Sequence, residues 1–241
     1  MDADDFAEQV AGVAALADPI RRELFRHVVA QGDPVSRDEA SERVGVPRHT
    51  AKFHLDRLVE EGLLDTEFKR LSGRQGPGAG RPTKLYRRST RELSVTLPQR
   101  HYDLAAHLMA SAIEASAADR TAALDALHRV AADAGRDLGD ETRVAAGARP
   151  SRSKIVDAAC TTLAAHGYAP RHQNDRVTLT NCPFHGLVRD HTDLVCGMNL
   201  ALLEVMAERG TDGALTARLD PAEGRCCVTL STVNNVPRQD T

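Results

Sequence analysis

Gly45-Val46-Pro47 separates two short amphipathic stretches, and the spacing around it restricts the fold more than any other feature of the chain. Pro47 lacks a backbone N–H and has a fixed φ, so the sequence predicts that no helix runs through it. Glycine supplies the backbone freedom that a tight turn needs. Upstream, Ser36 and Glu39 stand in capping-box spacing, where each side chain satisfies an orphan backbone N–H. The short helix that follows turns Ala40 and Val44 inward. Downstream, the spacing predicts a helix from about Arg48 to Glu61, with Ala51, Leu55, Leu58 and Val59 as its inner face and Gly62 as its stop. Before both, Asp18-Pro19 reads as a cap and first helical residue. Ile20, Leu24, Phe25 and Val28 then share one face, and Gly32 ends that helix. Two short helices joined by a glycine-containing turn of this length have helix-turn-helix spacing.

Arg48, His49, Lys52 and Phe53 point outward near the start of the later helix, and Thr50 and Arg57 extend the candidate contact set. Arg and Lys donate to guanine O6 and N7, and Phe contacts a thymine methyl. A basic surface helix with no nucleic-acid role has the same pattern, so the next segment matters. Residues 69 to 91 hold Lys69, Arg70, Arg74, Arg81, Lys84, Arg87, Arg88 and Arg91 with no acidic residue. Their order reads as a wing: strand Asp65–Leu71, tip Gly73–Gly80 and return strand Thr83–Arg88. A basic hairpin beside a recognition helix suits phosphate neutralisation. Gly80-Arg81-Pro82 also has the form of an arginine presented to a narrow A·T minor groove. The glycines do not make a phosphate-binding loop, because Arg81-Pro82 follows Gly80 where that loop needs Lys and then Ser or Thr.

Ala17-Asp18-Pro19-Ile20-Arg21-Arg22, Val46-Pro47-Arg48-His49-Thr50, His54-Leu55-Asp56-Arg57-Leu58 and Gly62-Leu63-Leu64 together resemble the winged-helix domain of ArsR-type regulators. The resemblance covers roughly residues 15 to 90. It implies a transcription regulator that binds a double-stranded operator, and is uninformative about the signal.

The whole chain has a formal net charge of −3, so any DNA site must come from local clustering. Aromatics are only 3% and Trp is absent, which leaves Leu, Val, Ile and Ala to build the cores and favours helices. Residues 98 to 147 are Ala-rich, with one stripe of Leu104, Leu108 and Ala112 and another of Leu124, Leu127, Ala131 and Ala134. Helices after the wing commonly form a two-fold dimer matched to a palindromic operator, and the resemblance implies a homodimer here. The resulting division is 1–97 as winged helix-turn-helix, 98–149 as helical linker or dimerisation segment, and 150–241 as an α+β sensor domain. No apolar run approaches the roughly 18 residues of a membrane span. The acidic start, with Asp2, Asp4 and Asp5, differs from a secretory signal. A cytoplasmic location, with reduced thiols, is the expectation.

All five cysteines, Cys160, Cys182, Cys196, Cys226 and Cys227, follow residue 159. A helix from Ser151 to His166 places Cys160 on a stripe with Val156 and Leu163, a core position. Arg176–Asn181 alternates as a strand, a further strand is expected near Tyr168, and Thr192 caps a helix running to Glu208. Ala214–Leu219 and Cys226–Ser231 read as two more strands. Cys182-Pro183 is extended at a strand end, as beside iron–sulfur ligands. Cys196 falls in a first helical turn, where the dipole favours thiolate. Of adjacent Cys226 and Cys227, strand alternation turns one toward the site, and Cys226 is favoured. A fourth ligand is open among His185, His191, Cys227 and an external thiol. The spacing matches neither a zinc ribbon nor a ferredoxin run, and four inert buried thiols remain an alternative.

Asn181-Cys182-Pro183-Phe184-His185, Leu194-Val195-Cys196 and Gly224-Arg225-Cys226 resemble the C-terminal motif of SufR-type regulators. That resemblance implies Cys182, Cys196 and Cys226 as ligands of an iron–sulfur cluster, 4Fe-4S in preference to 2Fe-2S. The competing sensors are zinc, thiol redox state, or a small apolar ligand held by Leu200, Leu203 and Met206 with no metal. No nucleotide loop, nucleophile elbow or zinc-protease helix is found, so an enzyme is not expected.

Overall fold

A computed structural model describes residues 3–70 and 82–233. The chain divides into two units between Val95 and Thr96, and the fold is mixed α+β.

The first unit contains α1 (Ala3–Ala15), α2 (Pro19–Ala30), β1 (Val35–Ser36), α3 (Arg37–Val44), α4 (Arg48–Glu60), β2 (Leu64–Lys69) and β3 (Thr83–Arg88). Asp18 caps α2 by accepting from the Arg21 N–H at 2.9 Å, with Pro19 at the first helical position. Ser36 accepts from the Glu39 N–H at 3.2 Å and starts α3. Gly45 adopts the left-handed conformation (φ 72°), and its N–H returns to the Ser41 carbonyl at 3.0 Å. A side chain there would be strained, so glycine sets the turn into α4. Leu24, Val28, Val35, Ala40, Ala51, Leu55, Leu58, Leu64 and Tyr86 form the core. The strands make an antiparallel sheet in the order β1-β3-β2, with Leu64 opposite Arg88 and Lys69 opposite Thr83. The expected tip, with Arg74, Arg81 and most of Gly80-Arg81-Pro82, lies outside the described residues. Helix α1 has no counterpart in the sequence reading.

The second unit contains α5 (Tyr102–Asp119), α6 (Ala123–Ala146), α7 (Arg152–Ala165), β4 (Pro170–Gln173), β5 (Arg176–Leu179), α8 (His185–Val188), α9 (Thr192–Thr211), β6 (Leu215–Leu219) and β7 (Val228–Thr232). Its antiparallel sheet has the order β4-β5-β7-β6. One core runs through the unit, joining Leu108 of α5 and Leu127 of α6 to Leu163, Phe184, Leu202, Met206 and Leu230. The division at residue 149 is therefore not a boundary in packing: residues 98–149 supply part of the core of the following segment. The physical reason is glycine. A Cβ on Gly135 would stand 2.2 Å from the Leu202 carbonyl oxygen, and one on Gly139 would stand 2.9 Å from the Arg209 Cβ. Bare backbone at these points lets α6 and α9 cross in close contact. Arg209 donates two hydrogen bonds of 2.7 Å to the Asp140 carboxylate beside the crossing.

Other expectations are corrected. Leu124 is exposed rather than part of the inner stripe. Leu203 and Met206 are fully buried in the core, with Leu200 packed at its edge, so they do not form an open apolar pocket. Thr192 is the first residue of α9 rather than its cap, and its hydroxyl donates to the Val188 carbonyl at 2.7 Å. Among the described residues, no helix is long and apolar enough to cross a membrane.

Candidate functional site

In the first unit, Arg48, His49, Lys52 and Phe53 are exposed on the first two turns of α4, and Thr50 is half-buried. Phe53 is 66% exposed, which an apolar ring adopts at some cost in water and which suits a contact surface. Arg48 pairs with Asp38 of α3. Arg57, later on α4, pairs with Glu60 at 3.1 Å and with Glu61, so its charge is largely answered within its own helix. On the hairpin, Lys69, Arg70 and Arg87 are exposed.

Lys84 stands apart from these. Its ammonium contacts the Asp56 carboxylate of α4 at 2.7 Å, and the Tyr86 hydroxyl donates to the same oxygen at 2.9 Å. Burial disfavours the Asp56 carboxylate, but the two hydrogen bonds, with the Lys84 and Lys52 charges, outweigh it and lower its pKa. This tie joins recognition helix to wing; the sequence reading quoted Asp56 only within a motif, with no role, and did not include Tyr86. A groove of about 580 Å³ beside it is lined by Arg37, Arg48, Lys52 and Lys84 together with Asp38 and Asp56. His54, also absent from the inner face read from sequence, is buried next to Asp18, with Arg21 donating to its Nδ1 at 3.4 Å. Its spacing from Ala51 and Leu58 carried that signal.

In the second unit, Cys182, Cys196, Cys226 and Cys227 all line one cavity of about 820 Å³. Cys182 precedes α8 in the loop after β5, Cys196 is on α9, and the pair Cys226-Cys227 precedes β7. Since the pair lies before the strand, alternation does not apply, and both face the cavity. The Cys226 N–H donates to the Leu179 carbonyl at 2.8 Å, which pins the pair to the end of β5. Arg100 donates to the Cys182 carbonyl at 2.9 Å and to the Asn181 side chain, which holds the Cys182 loop. His185 also lines the cavity, whereas His191 stands at the N-cap position of α9, without a side-chain capping bond, outside its lining. Cys160 packs half-buried against the core and is not in the lining.

The thiols interact as a chain. The neighbouring Cys182 and Cys227 thiols, with the Val228 N–H at 3.5 Å and the Asn199 side-chain NH₂ at 3.3 Å, hold the Cys226 pKa below its ordinary value. The same contacts, with burial, push the Cys182 and Cys227 thiols up. Cys196, the fifth residue of α9, is raised by burial and only partly relieved by Cys227. The expectation of a dipole-favoured thiolate at Cys196 is corrected: desolvation outweighs the dipole one turn into the helix. Among the described residues, no three His, Cys, Asp or Glu side chains converge on one point as ligands of a single ion.

Residues 16–67 match the sequence profile of a family described as a helix-turn-helix domain. No curated protein sequence matches the chain. With its exposed basic recognition helix and hairpin, the matched domain defines a DNA-binding transcriptional regulator of the helix-turn-helix class. The class points away from an enzyme.

Proposed function

We propose that the chain is an ArsR-type winged-helix regulator whose operator binding is controlled by an iron–sulfur cluster at Cys182, Cys196, Cys226 and Cys227. The observation that carries this reading is the meeting of four thiols, from three separate stretches of chain, on one cavity. The donor set suits a group that takes one thiolate at each of several iron atoms, as a 4Fe-4S cluster does. Sulfurs spread along a chain suit it better than a single zinc, whose ligands meet at one point. Uptake requires the thiol–thiol contacts to open, and the cavity is where the group would sit. When bound, the cluster would supply a redox- and iron-sensitive centre. The chain's own residues hold the sulfurs, with Arg100 and the Leu179 carbonyl fixing two of the loops. A homodimer on a palindromic operator belongs to the same proposal.

Anaerobic purification, with iron, sulfide and zinc analysis and a visible spectrum, tests it. Iron and acid-labile sulfide in similar amounts, lost in Cys182→Ser together with a change in operator affinity, is the expected result. Unchanged absorbance and affinity in Cys182→Ser would sink it. The thiol pairing seen here favours a second reading, a metal-free thiol switch. That reading predicts no iron after reconstitution, and operator binding that responds to oxidation and recovers with reductant. Sedimentation of the full chain on its operator tests the dimer.

A further inference from the structure

Asn199 lies on α9 and is 1% exposed. Its Oδ1 accepts from the Tyr168 hydroxyl at 2.5 Å, and its Nδ2 donates to the Cys226 sulfur at 3.3 Å. Tyr168, between α7 and β4, is 4% exposed. A buried amide is costly unless both ends are paired, and here the pairing also decides the orientation. The Cys226 sulfur also accepts from the Val228 N–H at 3.5 Å, so it acts as an acceptor. A flipped amide would set oxygen against sulfur, acceptor against acceptor. The tyrosine hydroxyl occupies the oxygen end and holds the NH₂ end on the sulfur.

We propose that Asn199, oriented by Tyr168, is a positioning residue for the Cys226 sulfur, fixing its direction and donor strength toward a bound metal group. This rests on the reading of the four cysteines as a ligand site. Hydrogen bonds to ligand sulfurs tune a centre, and partners one shell out orient its ligands. Neither residue stands in the motifs read from the sequence, because the relay spans three elements.

The test uses the full chain, reconstituted anaerobically with ferrous iron and sulfide as the probe. The wild-type chain is expected to take up iron and sulfide and to show the visible sulfur-to-iron charge transfer of a cluster. Asn199→Leu, with the same heavy-atom branching, is expected to weaken cluster retention against a chelator by about 10- to 100-fold and shift that band. Tyr168→Phe, which removes only a hydroxyl and keeps the packing, is expected to give a smaller loss. It should add nothing in the Asn199→Leu background, because it acts through the amide. Unchanged retention and band in Asn199→Leu, or additive losses in the double variant, would overturn the relay. A wild-type chain that takes up no iron and sulfide tells against the ligand site itself. The relay is then read without metal, from the side-chain NH₂ resonances of Asn199 in Cys226→Ala. A selective shift of those resonances supports it, and unmoved resonances overturn it.

Discussion

Gly135 lies directly beneath the carbonyl of Leu202, with room for no side chain between α6 and α9. At an exposed helical site, Gly→Ala stabilises by up to about 1 kcal/mol. Here the added carbon would stand 2.2 Å from a backbone oxygen, so the helices must part. Overpacking of this kind costs about 1–3 kcal/mol. Gly135→Ala is therefore expected to lower the denaturant midpoint of the second unit, and a raised midpoint would contradict the crossing. Because α9 carries Cys196 and Asn199, the same variant should also weaken metal uptake.

Asp56 makes the first unit sensitive to acid. Its carboxylate pKa is below the ordinary 3.8 despite burial, because Lys84 and Tyr86 donate to it. A depressed pKa contributes stability that is present above the unfolded value and lost as pH falls through the folded one. Stability from this group is thus complete above about pH 5 and declines below 3.8. Asp56→Asn should flatten that decline, measured as the melting temperature of the first unit against pH. An unchanged acid limb would show that the tie contributes nothing.

The basic residues of the wing should separate by the salt dependence of operator binding. Arg87 is exposed, and each lost phosphate contact lowers the salt slope by about 1. Arg87→Ala is expected to weaken binding evenly across sequences and reduce the slope by that amount. Lys84 is engaged with Asp56, so Lys84→Ala should weaken binding by loosening the wing while leaving the slope nearly unchanged. A full unit of lost slope for Lys84→Ala would make it a phosphate contact instead.

Cysteine variants should fall into two groups. Cys227→Ser is expected to lower bound iron as much as Cys226→Ser, because both line the cavity. His191→Ala, outside the lining, should leave iron content unchanged, and His185→Ala should change it less than Cys227→Ser. Cys160→Ser should shift stability by no more than about 1 kcal/mol and leave iron content intact. Retained iron in Cys227→Ser with loss in His185→Ala would reassign the fourth ligand to the histidine.

Local signals were legible without coordinates. Asp18-Pro19, Ser36, Gly45 and Gly62 mark helix ends through interactions with their own neighbours, and the observed caps and turns fall there. The α4 surface was equally readable, since Arg48, His49, Lys52 and Phe53 follow from helical period and a buried inner face. Helix α1 was missed although Phe6, Val10 and Val13 recur at helical spacing; only Gly12 there gains its meaning from Leu93, whose side chain a Cβ would meet at 2.5 Å.

The sequence alone determined the helix-turn-helix, the basic hairpin strands and the restriction of cysteine chemistry to the C-terminal segment. These depend on interactions between residues a few positions apart, or on composition. Tertiary structure alone decided that α6 joins the C-terminal core, that Lys84 answers Asp56, and that Cys226 and Cys227 face one cavity. It also decided that the Asn199 side chain and the Val228 N–H donate to Cys226 rather than to Cys196. Each of those outcomes is set by burial and by partners tens of residues away, such as Leu202 over Gly135 and Asn199 on Cys226, which no local pattern encodes.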